Sequence, residues 1–241
     1  MEKEKIVRFV FKMPYRTRGL LIKGVARRIL NAGNNAFREI PSINSMVNEI
    51  VCERLNLPIN LASHPATKKT VLMFHLRQSL QEALRADSIE KDIPQNRILA
   101  GIIDSTDLSS VTPRRSEDVH NEAKISCSFS VPTTARIKLL REIAYRMLSK
   151  KTRIGKSEFA SISDVCADLI AFHYNIPLPL EKEEEDFVDE EQINFIILLP
   201  ESVHNKLKNF CDQRSQDDKK FISMSGTIIE WCENAAQKGY W

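Results

Sequence analysis

The chain has 241 residues, 35 of them Lys or Arg and 32 Asp or Glu, for a net charge of +3. Hydrophobic residues at 42% are enough for real cores, and charged residues at 28% sit near the globular average. No apolar run approaches the roughly 20 residues that a membrane helix needs, which argues against a spanning protein.

In chain order, residues 6–13 alternate, with Val7, Phe9 and Phe11 on one face and Arg8, Val10 and Lys12 on the other. That period predicts a strand buried on one side. Pro14 fits the first turn of a following helix, where a missing N–H costs nothing. Leu20, Leu21, Val25 and Ile29 give this helix an apolar stripe. The run 31–35 then breaks it, with Gly33 or an asparagine as a left-handed cap. A second helix is predicted from Ser42 or Asn44, with Met46, Val47, Ile50 and Val51 on its buried face, and Pro58 follows its end.

Residues 60–69 read as a linker. A strand follows at 71–76, then a helix through Leu80 and Leu84 and another from about Pro94 carrying Ile98, Leu99, Ile102 and Ile103. The polar stretch 104–121, with Pro113-Arg114-Arg115, marks a domain boundary near residue 118. Residues 124–178 repeat the first unit. Pro132 follows Pro14 by 118 residues and Pro177 follows Pro58 by 119, so one inserted residue aligns the two copies. An acidic linker at 181–191 leads to the strand 193–200, to a helix with Val203, Leu207 and Phe210, and to a last helix opening at Ser225 or Gly226. The expected fold is mainly α with short β-ribbons. Four strand–helix–helix units, at about 5–59, 69–104, 124–179 and 192–238, form two duplicated halves, 1–118 and 119–241.

Each unit resembles the ribbon-helix-helix superfamily of DNA-binding regulators, the group of the MetJ, Arc and CopG repressors. The likeness rests on the alternating strand, the proline or polar cap after it and the two amphipathic helices. Length and fold also resemble transcriptional activators of conjugative plasmids such as AcaB. The resemblance implies that two units intertwine, that their strands pair antiparallel and that the ribbon enters the major groove. It makes Arg8, Val10 and Lys12 the groove-facing set of the first strand and Ser126, Ser128 and Ser130 that of the third. Arginine and lysine can donate to guanine, and serine can donate or accept at a base edge. It also assigns backbone phosphates to the second-helix N-termini, at Ser42 and Asn44 and at Ser161 and Ser163.

Charge points the same way. Basic residues gather between 1 and 40 and again between 124 and 156, at equivalent places in the repeat. Such clusters are the footprint of a polyanion partner. The outward positions of the other two strands, Val71, Met73 and His75 and then Asn194, Ile196 and Leu198, are more apolar. The last strand reads as buried on both sides, so these two units are expected to support the fold or form an interface. Side-chain chemistry favours pairing first with third and second with fourth. The short linker favours neighbours, and pairing between two chains is a third arrangement.

Enzymatic readings find little support. Arg153-Ile-Gly-Lys-Ser157 lacks the first glycine and the leading strand of a phosphate-binding loop, and the five histidines have no metal-ligand spacing. No catalytic residue, metal or cofactor is expected. Five scattered cysteines without a C-x-x-C pair suit buried thiols in a reducing cytoplasm, and the charged N-terminus shows no secretory signal. The expected partner is double-stranded DNA, with a homodimer left open, no membrane and no small-molecule substrate. The function expected is transcription regulation in the bacterial nucleoid or on a plasmid. The alternative is a protein-interaction module, antitoxin-like or a relaxosome-type scaffold.

Overall fold

A computed structural model of the chain describes residues 5–32, 42–58, 69–119, 122–149, 161–180 and 192–239. Among these the protein is mainly helical, with eight helices and short strands in two-stranded sheets. Strand β1 (Ile6–Pro14) leads into α1 (Tyr15–Ala32) and α2 (Ile43–Arg54). The same order gives β2 (Lys69–Arg77), α3 (Gln78–Lys91) and α4 (Gln95–Ser105). A short β3 (Arg115–Ser116) precedes β4 (Lys124–Pro132), α5 (Thr133–Ser149) and α6 (Ile162–His173). After β5 (Leu178–Pro179) come β6 (Gln192–Pro200), α7 (Glu201–Asp217) and α8 (Met224–Gln237).

Prolines end three of the four long strands, and a helix starts at the next residue each time. Their fixed φ and absent N–H stop a ladder but suit a helix entrance. Arg77 ends β2 in the place of that proline and is buried. Of the two starts open to the second helix, Ser42 is the cap, and Ser161 caps α6, each in a reciprocal capping box, while the last helix opens at Met224, not at Ser225 or Gly226, with Ser223 as its cap. Helices α2 and α6 both end on a left-handed asparagine, Asn56 and Asn175, whose next amide returns to the helix. The cap expected at 31–35, beyond Ala32, and the linkers at 60–69 and 181–191 fall largely or wholly outside the described residues.

The strands pair β1 with β6 and β2 with β4, both antiparallel. None of the three expected arrangements is the one formed. A ribbon of β2 with β6 would have put Val71, Met73, Ile196 and Leu198 on one surface. The observed pairing gives each apolar strand a polar partner and divides that surface in two.

Two cores follow from this pairing. In one, Phe11, Met13, Met46, Ile197, Leu207 and Trp231 close together. In the other, Leu72, Phe74, Leu84, Ile103, Leu139 and Leu169 do so. Each core draws residues from both sides of residue 118. The two bodies meet where α1 packs on α5, with Ala26 and Ile29 against Leu140 and Ala144. Two fully buried alanines at that contact let the helix backbones approach closely.

Beside the second of these cores, to which Leu178 belongs, β3 pairs parallel with β5. Arg115 donates to the Pro179 carbonyl at 3.2 Å and reaches Asp168 at 3.3 Å, so part of the polar stretch expected as a boundary is held to the second half.

Candidate nucleic-acid interface

Alternation fixes what each ribbon shows to solvent. On the β1/β6 ribbon the register sets Arg8 opposite Leu198, Val10 opposite Ile196 and Lys12 opposite Asn194, and all six are exposed. Beneath them Phe11 meets Phe195 edge-on, with ring centres 5.6 Å apart. On the β2/β4 ribbon Val71 faces Ser130, Met73 faces Ser128 and His75 faces Ser126. These six are exposed too, over stacked Phe74 and Phe129 at 5.2 Å.

All six base-contact candidates, Arg8, Val10, Lys12, Ser126, Ser128 and Ser130, therefore lie on outward ribbon faces. They are split between two ribbons and not gathered on one. The expectation that the last strand is buried on both sides is corrected. Ile196 and Leu198 are 44% and 49% exposed, and Met73 of β2 is 75% exposed. Because each ribbon is covered on only one face, its outer apolar residues stay in water.

The helix N-termini divide in role. Ser42 and Ser161 are occupied as caps: Ser42 Oγ accepts from the Ser45 amide at 3.0 Å and Ser161 Oγ from the Asp164 amide at 3.2 Å. Asn44 and Ser163 instead hold the outer edge of the neighbouring ribbon strand. Asn44 Oδ1 accepts from the Leu198 amide at 2.7 Å, and Asn48 Nδ2 donates to the Leu198 carbonyl at 2.9 Å. Ser163 Oγ accepts from the His75 amide at 3.2 Å. Each of the two helices thus starts beside its ribbon. The two starts differ in charge, since α6 carries the Asp164 carboxylate where α2 has neutral Ser45. The dipole favours an anion at both, but Asp164 makes the α6 end a poorer anion site.

Part of each basic cluster is taken up by ion pairs and hydrogen bonds. Arg28 pairs with Glu49, and Arg146 binds Glu142 at 2.7 Å and Asp168 at 2.5 Å. Arg146 and Asp168 stand 118 and 119 residues after Arg28 and Glu49, so the same ion pair recurs. Lys138 donates to the carbonyls of Ile103 and Asp104, each at 2.9 Å, closing the end of α4. Arg136 donates to Thr70. Lys150 to Lys156, with the Arg153–Ser157 motif, fall outside the described residues. The charge left facing outward includes Arg8, Lys12, Arg16 and Arg27.

The sequence counts Lys124 only in a basic cluster and leaves Lys69 in the linker, but both belong to the β2/β4 ribbon. Lys69 and Lys124 are exposed at the starts of β2 and β4, two residues before Val71 and Ser126 and so on the same outward face. The alternation that placed Val71 and Ser126 could have found them. Near Lys124, the Glu122 carboxylate accepts from the Ser79 amide at 3.0 Å. That hydrogen bond holds its pKa below the usual range and keeps it ionised.

Four cysteines are buried and Cys127 is partly so, all with free thiols. Burial pushes the thiols of Cys166 and Cys232 up to about 12, which leaves them unreactive. Among the described residues no group of His, Cys, Asp and Glu could hold a metal, and no helix is long and apolar enough to cross a membrane.

Fold and surface together define a mainly helical protein that presents two exposed antiparallel β-ribbons, each backed by its own core. Comparison with protein families, curated proteins and solved structures gives no match to this chain.

Proposed function

We propose that this chain is a double-stranded DNA-binding transcription regulator that places two-stranded β-ribbons in the major groove. In this reading it is four ribbon-helix-helix units fused into one polypeptide, an intramolecular pair of ribbon dimers that arose by duplication. Recurrence supports the duplication. The ion pairs Arg28–Glu49 and Arg146–Asp168 are one instance. The amide of Glu201 on the Lys5 carbonyl and that of Gln78 on the Ala123 carbonyl are another, at 2.9 and 3.2 Å.

The observation that carries the function is the solvent-facing side of the β1/β6 ribbon, where Arg8 and Lys12 stand exposed on a strand. A two-stranded ribbon fits the major groove, and these side chains match guanine O6 and N7. Lys69 and Lys124 add phosphate-seeking charge to the ends of the second ribbon. Helix α2 begins next to β6 and points its positive end toward a phosphate flanking the groove.

A second reading has its own support. Val71, Met73, Ile196 and Leu198 are exposed apolar residues on ribbon faces, as a protein-binding surface would have. The two readings part on salt. If the first holds, the full chain binds duplex DNA with an affinity that falls steeply as salt rises from about 50 to 200 mM. Absence of duplex binding at the lower salt would falsify it and leave the interaction module.

A further inference from the structure

An antiparallel ribbon made from two identical strands has a two-fold axis through its centre. Such a ribbon offers the same side chains to both arms of its site and so reads an inverted repeat. The register locates the corresponding axis here. It passes between Val10 and Ile196 in the β1/β6 ribbon and between Met73 and Ser128 in the β2/β4 ribbon. That axis would exchange Arg8 with Asn194 and Lys12 with Leu198 in the first ribbon. In the second it would exchange Val71 with Ser126 and His75 with Ser130.

These exchanges do not preserve the chemistry. Arginine suits guanine as a bidentate donor, whereas asparagine suits adenine. Lysine donates to guanine or phosphate, whereas leucine can only meet a thymine methyl. In the second ribbon each serine, able to donate and accept, answers to valine, methionine or histidine. Alike are Val10 with Ile196 at the centre of one ribbon and Lys69 with Lys124 at the ends of the other. The lysines suit phosphates, and phosphate contacts position a protein without specifying sequence. The two ribbons also differ from each other.

We infer that the DNA site read by one chain is not an inverted repeat, so that the protein binds it in a single direction set by the unlike strands of each ribbon. This rests on the DNA-binding reading and names the substrate more narrowly. On one arm the β1/β6 ribbon calls for guanine under Arg8 and thymine under Leu198, which stand opposite each other. On the other arm it calls for guanine under Lys12 and adenine under Asn194.

The test is selection from random duplexes with the full chain, with the footprint of one chain fixed by the stoichiometry of the complex. A motif without inverted symmetry inside that footprint is the expected result. A duplex in which either arm is written twice, as an inverted repeat, should bind at least about tenfold more weakly, as base mismatches do. The variant Asn194→Arg with Leu198→Lys alters two exposed side chains and makes the ribbon nearly symmetric. It should bind an inverted repeat with guanine at all four contacted positions more tightly than the native site, and select such a repeat. An inverted repeat chosen by the native chain would overturn the inference while leaving DNA binding in place. No retained duplex at low salt would overturn both.

Discussion

At the scale of single residues, exposure and partners decide which side chains are free to act. Arg8 and Lys12 are exposed on a ribbon and support no core, so their loss should spare the fold. The double change Arg8→Ala, Lys12→Ala is expected to cost about 2–6 kcal/mol of specific binding at about 1–3 kcal/mol per base contact. Circular dichroism and footprinting check this together: native-like ellipticity with the same DNA site still protected would remove the groove assignment. Asp87 shows the opposite case, a buried carboxylate tied into structure. It bonds Lys91 and accepts from the Tyr174 hydroxyl at 2.7 Å, and these hydrogen bonds hold its pKa below the ordinary value. A folded-state pKa below the unfolded one contributes stability that is present above about pH 4 and lost as pH falls through the folded value. Tyr174→Phe should therefore cost about 1 kcal/mol at pH 7, and the gap to the native chain should narrow in urea titrations at pH 3. A gap that stays constant between the two pH values would show that the Asp87 charge has no part in it.

At the scale of elements, local signals were strong because each is written within a few residues. Alternation located β1 and, through the repeat, β4, since a one-sided ribbon imposes a period of two on its own sequence, while β2 and β6 were legible as short apolar runs followed by a helix. Capping serines and prolines placed most helix starts within one or two residues. The outward ribbon residues were legible for the same reason, whereas the roles of Asn44 and Ser163 were not. Their hydrogen bonds run to Leu198 and His75, strands far away in sequence. The basic clusters misled in part because an ion pair such as Arg28–Glu49 needs the helices packed before it exists. The contact of α1 with α5 was equally hidden, as Ala26 and Ala144 look like ordinary helix formers until two bodies meet on them. Both are fully buried there. Ala144→Leu should wedge the helices apart and cost about 1–3 kcal/mol, read as a shift in the urea midpoint. An unchanged midpoint would mean that the helices do not pack at this position.

At the scale of the whole molecule, partner choice among the strands decides the topology. Any of the four strands presents the same alternation to any other, so periodicity cannot choose. The choice follows from how apolar residues share two cores and two water-facing surfaces, which is a property of all four strands at once. The result interleaves the chain: its first strand pairs with its last long strand, and the two inner long strands pair with each other. Separating residues 1–118 from 119–241 would therefore break both ribbons. The first fragment would keep Phe11, Met13, Leu72 and Phe74 but lose Ile197, Leu199, Phe129 and Val131, which complete their cores. Losing such contacts at about 2–5 kcal/mol for each large side chain exceeds the stability of a typical domain. Each fragment alone should then give no cooperative melt as a monomer. Co-expressed, with a tag on one, the two should copurify and recover the far-ultraviolet spectrum of the intact chain. A monomeric fragment that melts cooperatively would mean that its own two strands pair, as neighbours would, which is an arrangement the intact chain does not adopt.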